Sequence, residues 1–252
     1  MSTFKVLLAA LTVGFMPSLS LAAEPAPVFN DAQKAAIEAT VRDLLTKKEP
    51  EIVMQAAQTL QEKAEKEQAA KGKEAVSQNL DRIFKDANSP VGGNPKGDVT
   101  VVEFFDYSCG YCKMAQEVLK KYLAEEKNVR FVYKELPILG DASVYASKAA
   151  LASVAQGKYI AFHEAMMEAK ERLTEDSIKK IAKDVGLDVV KLTKDMESDK
   201  IKTMIKANQD LAADIGARGT PAFVIGEKLY PGALSPEQLK EAVDEVRKAK
   251  KK

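Results

Sequence analysis

The chain has 252 residues, of which 46% are hydrophobic and 30% are charged, and this composition is ordinary for a soluble globular protein. Its 38 Lys and Arg residues nearly balance its 37 Asp and Glu residues, so the charge gives no reason to expect nucleic acid or an acidic substrate as a partner. The length is enough for one large domain, or for one domain with a smaller second one.

The first 22 residues predict a secretory signal peptide. Lys5 is their only charge, residues 6–22 are almost wholly apolar or small, and the end of this stretch offers the small residues that a signal peptidase recognises. A membrane anchor is the alternative, but Pro17 interrupts an apolar stretch that is only as long as the shortest membrane spans. We therefore expect cleavage after Ala22 and export to an oxidising compartment.

Residues 23–88 predict an all-helical region. Asn30 and Gln33 form a capping-box pattern, Pro50 suits the start of a second helix, and Gly72 is expected to interrupt that helix. The apolar stripes along these helices are too narrow to enclose a core by themselves, so they need the next domain or another copy of the chain. We expect self-assembly through this region, with a homodimer as the favoured state and a trimer as the alternative.

A segment rich in Pro and Gly, residues 88–98, marks a domain boundary. The near-continuous apolar run 99–105 that follows is typical of a strand buried on both faces. Cys109 and Cys112 come directly after it, residues 113–124 have helical spacing, and residues 129–133 predict a second buried strand. This β-α-β order places the C-x-x-C pair at the first strand-to-helix turn.

The remainder predicts a helical stretch and then a short hairpin. Residues 141–215 show only helical patterns. Residues 222–225 and 229–230 predict two short strands joined by a turn. Ser235 and Gln238 form a capping-box pattern that begins the final helix.

The two cysteines are candidates for thiol–disulfide exchange. A C-x-x-C pair places two thiols one turn apart on the same side of a helix. At a helix N-terminus, unpaired N–H groups and the helix dipole favour a thiolate on the first cysteine. We therefore expect Cys109 to be the exposed nucleophile and Cys112 the shielded resolving thiol, with Gly110 and Tyr111 between them.

Three other uses of the cysteines are less favoured. A zinc site needs two further ligands, but the chain has no other Cys and His163 is its only His, which leaves open only a zinc shared between chains. Covalent haem attachment needs a His directly after the second cysteine, where Lys113 stands. An inert structural disulfide stays open, but closing so small a loop contributes only about 2 kcal/mol.

Glu103 is a carboxylate in an otherwise apolar strand, six residues before Cys109. Burying it alone is costly, so we expect it to be paired or to exchange protons. Strand alternation places Glu103, Phe105 and Tyr107 on one face. Lys134, in the next strand, is the candidate proton-relay partner. The alternative is that Glu103 reaches solvent at the sheet edge.

Two segments resemble the DsbA-like thioredoxin-fold thiol–disulfide oxidoreductases. Residues 102–112 (VEFFDYSCGYC) are similar to the active-site segment of that family, and residues 218–223 (RGTPAF) resemble its cis-proline loop. The match covers about residues 88–250. The residues before it resemble the N-terminal oligomerisation region of the multimeric ScsC-like relatives.

The resemblance implies an α/β thioredoxin fold with an inserted helical domain, preceded by an all-helical oligomerisation region. The predicted organisation is therefore a signal peptide (1–22), an oligomerisation region (23–88) and a DsbA-like thioredoxin domain (89–252) whose helical insertion covers about 141–215. Within that domain, Glu103 corresponds to the buried acid of the family. Pro221 corresponds to the cis-proline and Thr220 to the residue before it.

The resemblance also implies a function. We expect a periplasmic enzyme that forms or isomerises disulfide bonds in secreted proteins, with unfolded or misfolded clients bound near Pro221 and Tyr111. No dissociable cofactor is implied, and a DsbB-like or DsbD-like membrane redox protein is the expected partner. The chain departs from monomeric DsbA in having no His between the cysteines and in having Thr220, as in the dimeric isomerases, before the proline. The alternatives are an envelope chaperone whose thiols are secondary, and a structural envelope component with a spent redox domain.

Overall fold

The computed structural model describes residues 28–251, so the predicted signal peptide lies outside the described residues. No helix in that range is both long enough and apolar enough to span a membrane. The chain divides into two compact units, one up to Gln61 and the other from Glu62 onward.

The first unit is helical. Helix α1 (Asp31–Asp43) starts at Asn30, whose side chain and that of Gln33 form the expected capping box. A π-helical segment (Leu44–Lys48) follows, and then α2 (Glu51–Gln78). None of residues 28–61 is buried in the single chain, so the apolar side chains of this unit are left without a core.

Helix α2 continues through Gly72, so the expected interruption is wrong. A glycine inside an exposed helix lowers stability by only about 1 kcal/mol relative to Ala. The surrounding Ala, Lys, Glu and Gln residues are good helix formers, which is enough to carry the helix through this position.

The second unit is built on a mixed five-stranded sheet with the order β1-β3-β2-β4-β5, in which only β2 and β3 are parallel. The strands are β1 (Val91–Gly93), β2 (Val99–Phe105), β3 (Val129–Glu135), β4 (Ala222–Ile225) and β5 (Lys228–Pro231). Strand β1 lies inside the segment predicted to be a linker. Its two glycines give no strand pattern, and it forms because Val91 pairs with Val132 at the open edge of β3.

The helices of this unit confirm the thioredoxin fold with an inserted helical domain. Five of them lie between β3 and β4, where the sequence predicts only helices. The helices are α3 (Leu80–Phe84), α4 (Gly110–Glu125), α5 (Asp141–Ser153), α6 (Tyr159–Glu168), α7 (Glu175–Asp184), α8 (Val189–Met196), α9 (Asp199–Asp214) and α10 (Pro236–Lys250). The final helix begins at the expected Ser235 capping box.

The sheet is buried on both faces. One face, which carries Phe105, packs in the larger core with α4 and with most helices of the insertion. The other face carries Phe104 and packs in a smaller core that includes Val76 of α2, Ile83 of α3 and part of α9. Val76 and Ile83 are fully buried although they precede the boundary that the sequence places at residue 88.

Candidate redox site

Cys109 is the N-cap residue of α4, as the sequence predicts, and Cys112 lies one turn further into the helix. Both residues are free thiols. Cys112 is completely buried, whereas Cys109 keeps 7% of its surface exposed. Cys109 is therefore the more accessible of the two, as expected, but it is far more covered than an exposed thiol.

The cover over Cys109 comes from the loop before β4. The Thr220–Pro221 peptide bond is cis, which confirms the sequence prediction. The Cys109 thiol donates a hydrogen bond to the carbonyl oxygen of Thr220 at 3.2 Å. Gly232, just past β5, donates its N–H to the carbonyl of Pro221 at 2.9 Å. The redox pair and the proline loop, 111 residues apart in the chain, thus form one site.

Glu103 lies in the middle of the sheet on the face of Phe105. Its strand neighbours are Tyr133 of β3 and Phe223 of β4, so the alternative of a sheet-edge position is wrong. Only 1% of the residue is exposed. Burial holds the pKa of Glu103 well above its ordinary value, and the negative charges of Cys109 and Glu135 raise that pKa further.

The predicted pairing of Glu103 with Lys134 is wrong. Lys134 is the register partner of Phe104, and side chains alternate between faces along a strand. Lys134 therefore projects to the opposite face from Glu103. There its ammonium group donates to Asp86 at 2.8 Å and to the carbonyl of Arg82 at 3.0 Å, while burial lowers its pKa.

The buried Cys112 thiol is held in its protonated form. Burial is the largest cause, and it raises the pKa of Cys112 far above the ordinary value for a thiol. The negative charge of Glu103 raises it further. A reaction that needs a Cys112 thiolate must therefore include a group that takes up this proton.

A buried polar cluster that the sequence analysis missed lies on the same face. The carboxylate of Glu135, at the end of β3, accepts hydrogen bonds from the hydroxyls of Tyr107, Ser147 and Tyr159 at 3.2, 2.8 and 2.8 Å. The Tyr107 hydroxyl also lies 3.0 Å from Nδ1 of His163. Glu135 ends an apolar strand just as Glu103 interrupts one, so the same signal was present in the sequence.

A second missed residue, Asp106, organises the loop that leads into α4. Its carboxylate accepts hydrogen bonds from the N–H groups of Ile138 and Leu139 and from the Ser143 hydroxyl. Its backbone carbonyl accepts the N–H of Cys109 at 3.1 Å. Asp106 therefore connects the redox loop, residues 106–109 between β2 and α4, to the loop after β3.

Exposed apolar side chains lie on the helix that follows Cys109 and on the loop after β3. Tyr111 and Met114 on α4 are 68% and 63% exposed, and Ile138 and Leu139 on the loop after β3 are 45% and 53% exposed. Within residues 28–251, no three His, Cys, Asp or Glu side chains are grouped so that they could hold a metal ion. The arrangement fits thiol chemistry beside an apolar surface.

Comparison with known sequences identifies the family. The DSBA-like thioredoxin domain matches residues 100–244, which is more than half of the chain. The chain belongs to the DsbA-like thioredoxin-domain family. Members of this family are thiol–disulfide oxidoreductases, and the C-x-x-C pair of this DsbA-like protein lies inside the matched range.

Solved structures agree with this assignment. A thioredoxin-like oxidoreductase from Silicibacter pomeroyi DSS-3 is 47% identical, and the match covers 67% of this chain and 97% of that one with a TM-score of 0.66. Proteus mirabilis ScsC in a transitional conformation is 33% identical, with 86% and 98% covered and a TM-score of 0.64.

A curated relative is much longer than this DsbA-like protein. The Na⁺/H⁺ antiporter NhaA 3 of Salinispora tropica is 29% identical over 156 residues, which are 61% of this chain and 24% of the antiporter. The chain therefore spans about a quarter of the length of that relative.

Proposed function

We propose that this protein exchanges disulfide bonds with exported polypeptides through Cys109 and Cys112, with Gly110 and Tyr111 between them. One observation carries the proposal. The more accessible thiol caps helix α4 and contacts the Thr220 carbonyl at 3.2 Å, while the second thiol is wholly buried one turn further on.

The proposed exchange has two steps. The Cys109 thiolate attacks a client disulfide, a bond forms between Cys109 and one client sulfur, and the other client sulfur leaves as a thiolate. Cys112 then loses its proton and attacks the sulfur of Cys109, which releases the client's remaining sulfur as a thiolate. The client is reduced by two electrons and the Cys109–Cys112 pair is oxidised. Run in reverse, the same steps place a disulfide in a client.

The client surface combines backbone and apolar contacts. A client segment in extended conformation can pair with the backbone at Thr220, in the manner of an added strand, and thereby bring its sulfur to Cys109. Pro221 has no N–H to compete for that pairing. The exposed Tyr111 and Leu139 suit apolar side chains that only an unfolded or misfolded client presents.

The first unit supports assembly as the role of the N-terminal helices. Ile37 and Val41 of α1, together with Leu45 of the π-helical segment, line one side of this helical stretch, and Ile37 and Val41 are each 47% exposed in the single chain. We propose that a second copy covers this stripe, in a dimer or a trimer. The proposed assembly region is residues 23–61, shorter than the predicted 23–88, because Val76 and Ile83 belong to the core of the second unit.

The proposed location is the periplasm, which the predicted signal peptide supports. The direction of electron flow then depends on the membrane protein that resets the pair. A DsbB-like partner would oxidise it and support disulfide formation. A DsbD-like partner would reduce it and support isomerisation.

The direct test is the redox behaviour of the pair itself. In glutathione buffers, the full-length protein should convert between dithiol and disulfide in one two-electron transition. Alkylation of the free thiols measures the fraction that is reduced in each buffer. A pair that stays in one state across all buffers would contradict the proposal. In cells, a mostly oxidised pair would favour the oxidase and a mostly reduced pair the isomerase.

We further propose that Glu103, as the carboxylate, takes the proton of Cys112. Glu103→Gln should therefore slow the release of clients from mixed disulfides by about a hundredfold near neutral pH, measured by quenched-flow alkylation. The deficit should narrow once the pH exceeds the raised pKa of Glu103, because the wild-type rate then levels off while solvent base still deprotonates more of Cys112. Glu125→Gln, at the exposed end of α4, is the control and should release clients at the normal rate.

Stability gives a second readout for Glu103. Its pKa is raised in the folded protein, so between about pH 4.3 and that raised pKa the folded chain holds a proton that the unfolded chain has released. The free energy of unfolding therefore falls as the pH rises through this window. Glu103→Gln should remove that part of the decline, and a variant with the wild-type pH profile would argue against a buried, protonated Glu103.

A further inference from the structure

The buried cluster around Glu135 joins strand β3 to the loop before α4 and to three helices of the insertion. Glu135 is fully buried at the end of β3, and its three hydroxyl donors come from different elements. Tyr107 belongs to the redox loop, Ser147 to α5 and Tyr159 to α6. On α9, Asn208 donates to the backbone carbonyl of Glu135 at 3.1 Å. The carboxyl group of Glu135 thus connects α5 and α6 to the segment that leads into Cys109, and its backbone carbonyl connects α9 to the end of β3.

The hydrogen bonds of Tyr107 depend on the charge of Glu135. A tyrosine hydroxyl has one proton and cannot donate to Glu135 and to His163 at the same time. When Glu135 is ionised, Tyr107 donates to it and His163 must donate to the Tyr107 oxygen. When Glu135 is protonated, it can donate to Tyr107, which is then free to donate to His163. Tyr107 lies only two residues before Cys109, so this change reaches the redox loop directly.

Glu135 is also coupled to the redox pair through Glu103. The two carboxyl groups lie on the same face of neighbouring strands. Glu103 of β2 is in register with Tyr133, and Glu135 of β3 is in register with Phe105. The negative charge of either group opposes ionisation of the other, and Glu103 also senses the charge on Cys109. The charge of Glu103 therefore interacts with both the Cys109 thiolate and the Glu135 carboxylate, and it couples their ionisation.

The surroundings of Glu135 are acidic or neutral. Asp106 on the redox loop raises the pKa of Glu135, and among residues 28–251 no Lys or Arg forms an ion pair with it. His163 on α6 stays uncharged because burial lowers its pKa to about 3. Burial is the main cause that raises the pKa of Glu135 to about 8, against three hydroxyl donors that favour the carboxylate.

We propose that Glu135 is a positioning residue for the redox pair, and that its ionisation, transmitted through Tyr107 and Glu103, sets how the reduction potential depends on pH. The inference rests on the proposed redox function. Below the pKa of Glu135 its carboxyl group is neutral and adds no charge that opposes the reduced, thiolate form of Cys109. Above it, the Glu135 carboxylate opposes that thiolate, which destabilises the reduced pair and makes the protein a weaker oxidant.

The test is the reduction potential of full-length protein against glutathione from about pH 6 to about pH 9.5, which brackets the Glu135 pKa. Glu135→Gln keeps the size of the side chain but cannot carry its charge. At pH 6 to 7 the variant and the wild type should agree. Above about pH 8 the variant should become the stronger oxidant, by up to about tenfold in the equilibrium constant, which corresponds to about 30 mV.

Ser147→Ala is the matched variant. It removes the 2.8 Å hydrogen bond that favours the Glu135 carboxylate but leaves the charge in place. In the wild type, the plot of reduction potential against pH should change slope at the pKa of Glu135. In Ser147→Ala the same change of slope should occur at higher pH. If Glu135→Gln does not fold, Ser147→Ala decides the question. A change of slope at the same pH as in the wild type would overturn the proposal.

Two other results would also overturn it. Coincident potentials of Glu135→Gln and wild type at every pH would show that Glu135 has no influence on the pair. An offset that is the same at every pH would show a structural effect that does not depend on ionisation. Neither result touches the proposed redox function, which fails only if the wild-type pair does not interconvert between dithiol and disulfide.

Discussion

Cells that express the Cys112→Ala variant should accumulate mixed disulfides between this protein and exported clients, whereas Cys109→Ala should trap none. The reason is positional. Cys109 caps helix α4 and retains access to solvent, so it makes the first attack, and without Cys112 no neighbouring thiol can release the client. Non-reducing gels of alkylated extracts, followed by mass spectrometry, should show the adducts.

The same assignment predicts unequal reactivity in the reduced wild type. Cys112 is wholly buried with a raised pKa, and each pKa unit lowers the thiolate fraction about tenfold near neutral pH. Cys109 should therefore be alkylated at least about tenfold faster than Cys112. Equal rates for the two thiols would contradict the assignment.

The double variant Cys109→Ala/Cys112→Ala separates the oxidoreductase from the chaperone alternative. If client holding is the main activity, this variant should still suppress the aggregation of unfolded proteins as well as the wild type does. If disulfide exchange is the main activity, the variant should lose its effect on disulfide-containing clients. If the protein is instead a structural component whose domain has lost its redox activity, the wild type should not exchange disulfides either.

A chain that starts at Glu62 should be monomeric and should lose most of its activity on a scrambled protein with several disulfides. It should keep its reactivity with small disulfides, because Cys109, Cys112 and Thr220 all lie in the second unit. Assembly would hold several Cys109 groups near one client, and multivalent holding can raise the overall affinity for the client about a hundredfold or more without new contacts. Sedimentation and reactivation of scrambled ribonuclease measure the two effects.

Substitutions in the full-length chain provide a control without truncation. Ile37→Glu with Val41→Glu places charges on the exposed stripe of α1 and should reproduce the monomer and its loss of reshuffling. Ala39→Glu adds a charge to the opposite side of the same helix and should change neither property. A wild type that sediments as a monomer would refute assembly, and a monomeric variant with full reshuffling activity would separate assembly from isomerisation.

Local sequence signals were sufficient for the helix ends and for the redox pair. The capping boxes at Asn30 and Ser235 and the apolar run of β2 depend on neighbouring residues only, and each forms where the sequence predicts it. The position of Cys109 at the start of α4 follows in the same way from the strand-to-helix turn. The cis bond at Pro221 became predictable only through the family resemblance.

The sequence by itself thus determined the thioredoxin-type order of elements, the C-x-x-C pair and the presence of a carboxylate behind it. Only the tertiary structure decided which groups meet. Strand register places Lys134 on the face opposite Glu103, and helix packing brings Ser147 and Tyr159 to Glu135. Contacts of this kind join residues that are far apart in the chain, and neither spacing nor local propensity specifies which buried hydroxyl will satisfy which buried carboxylate.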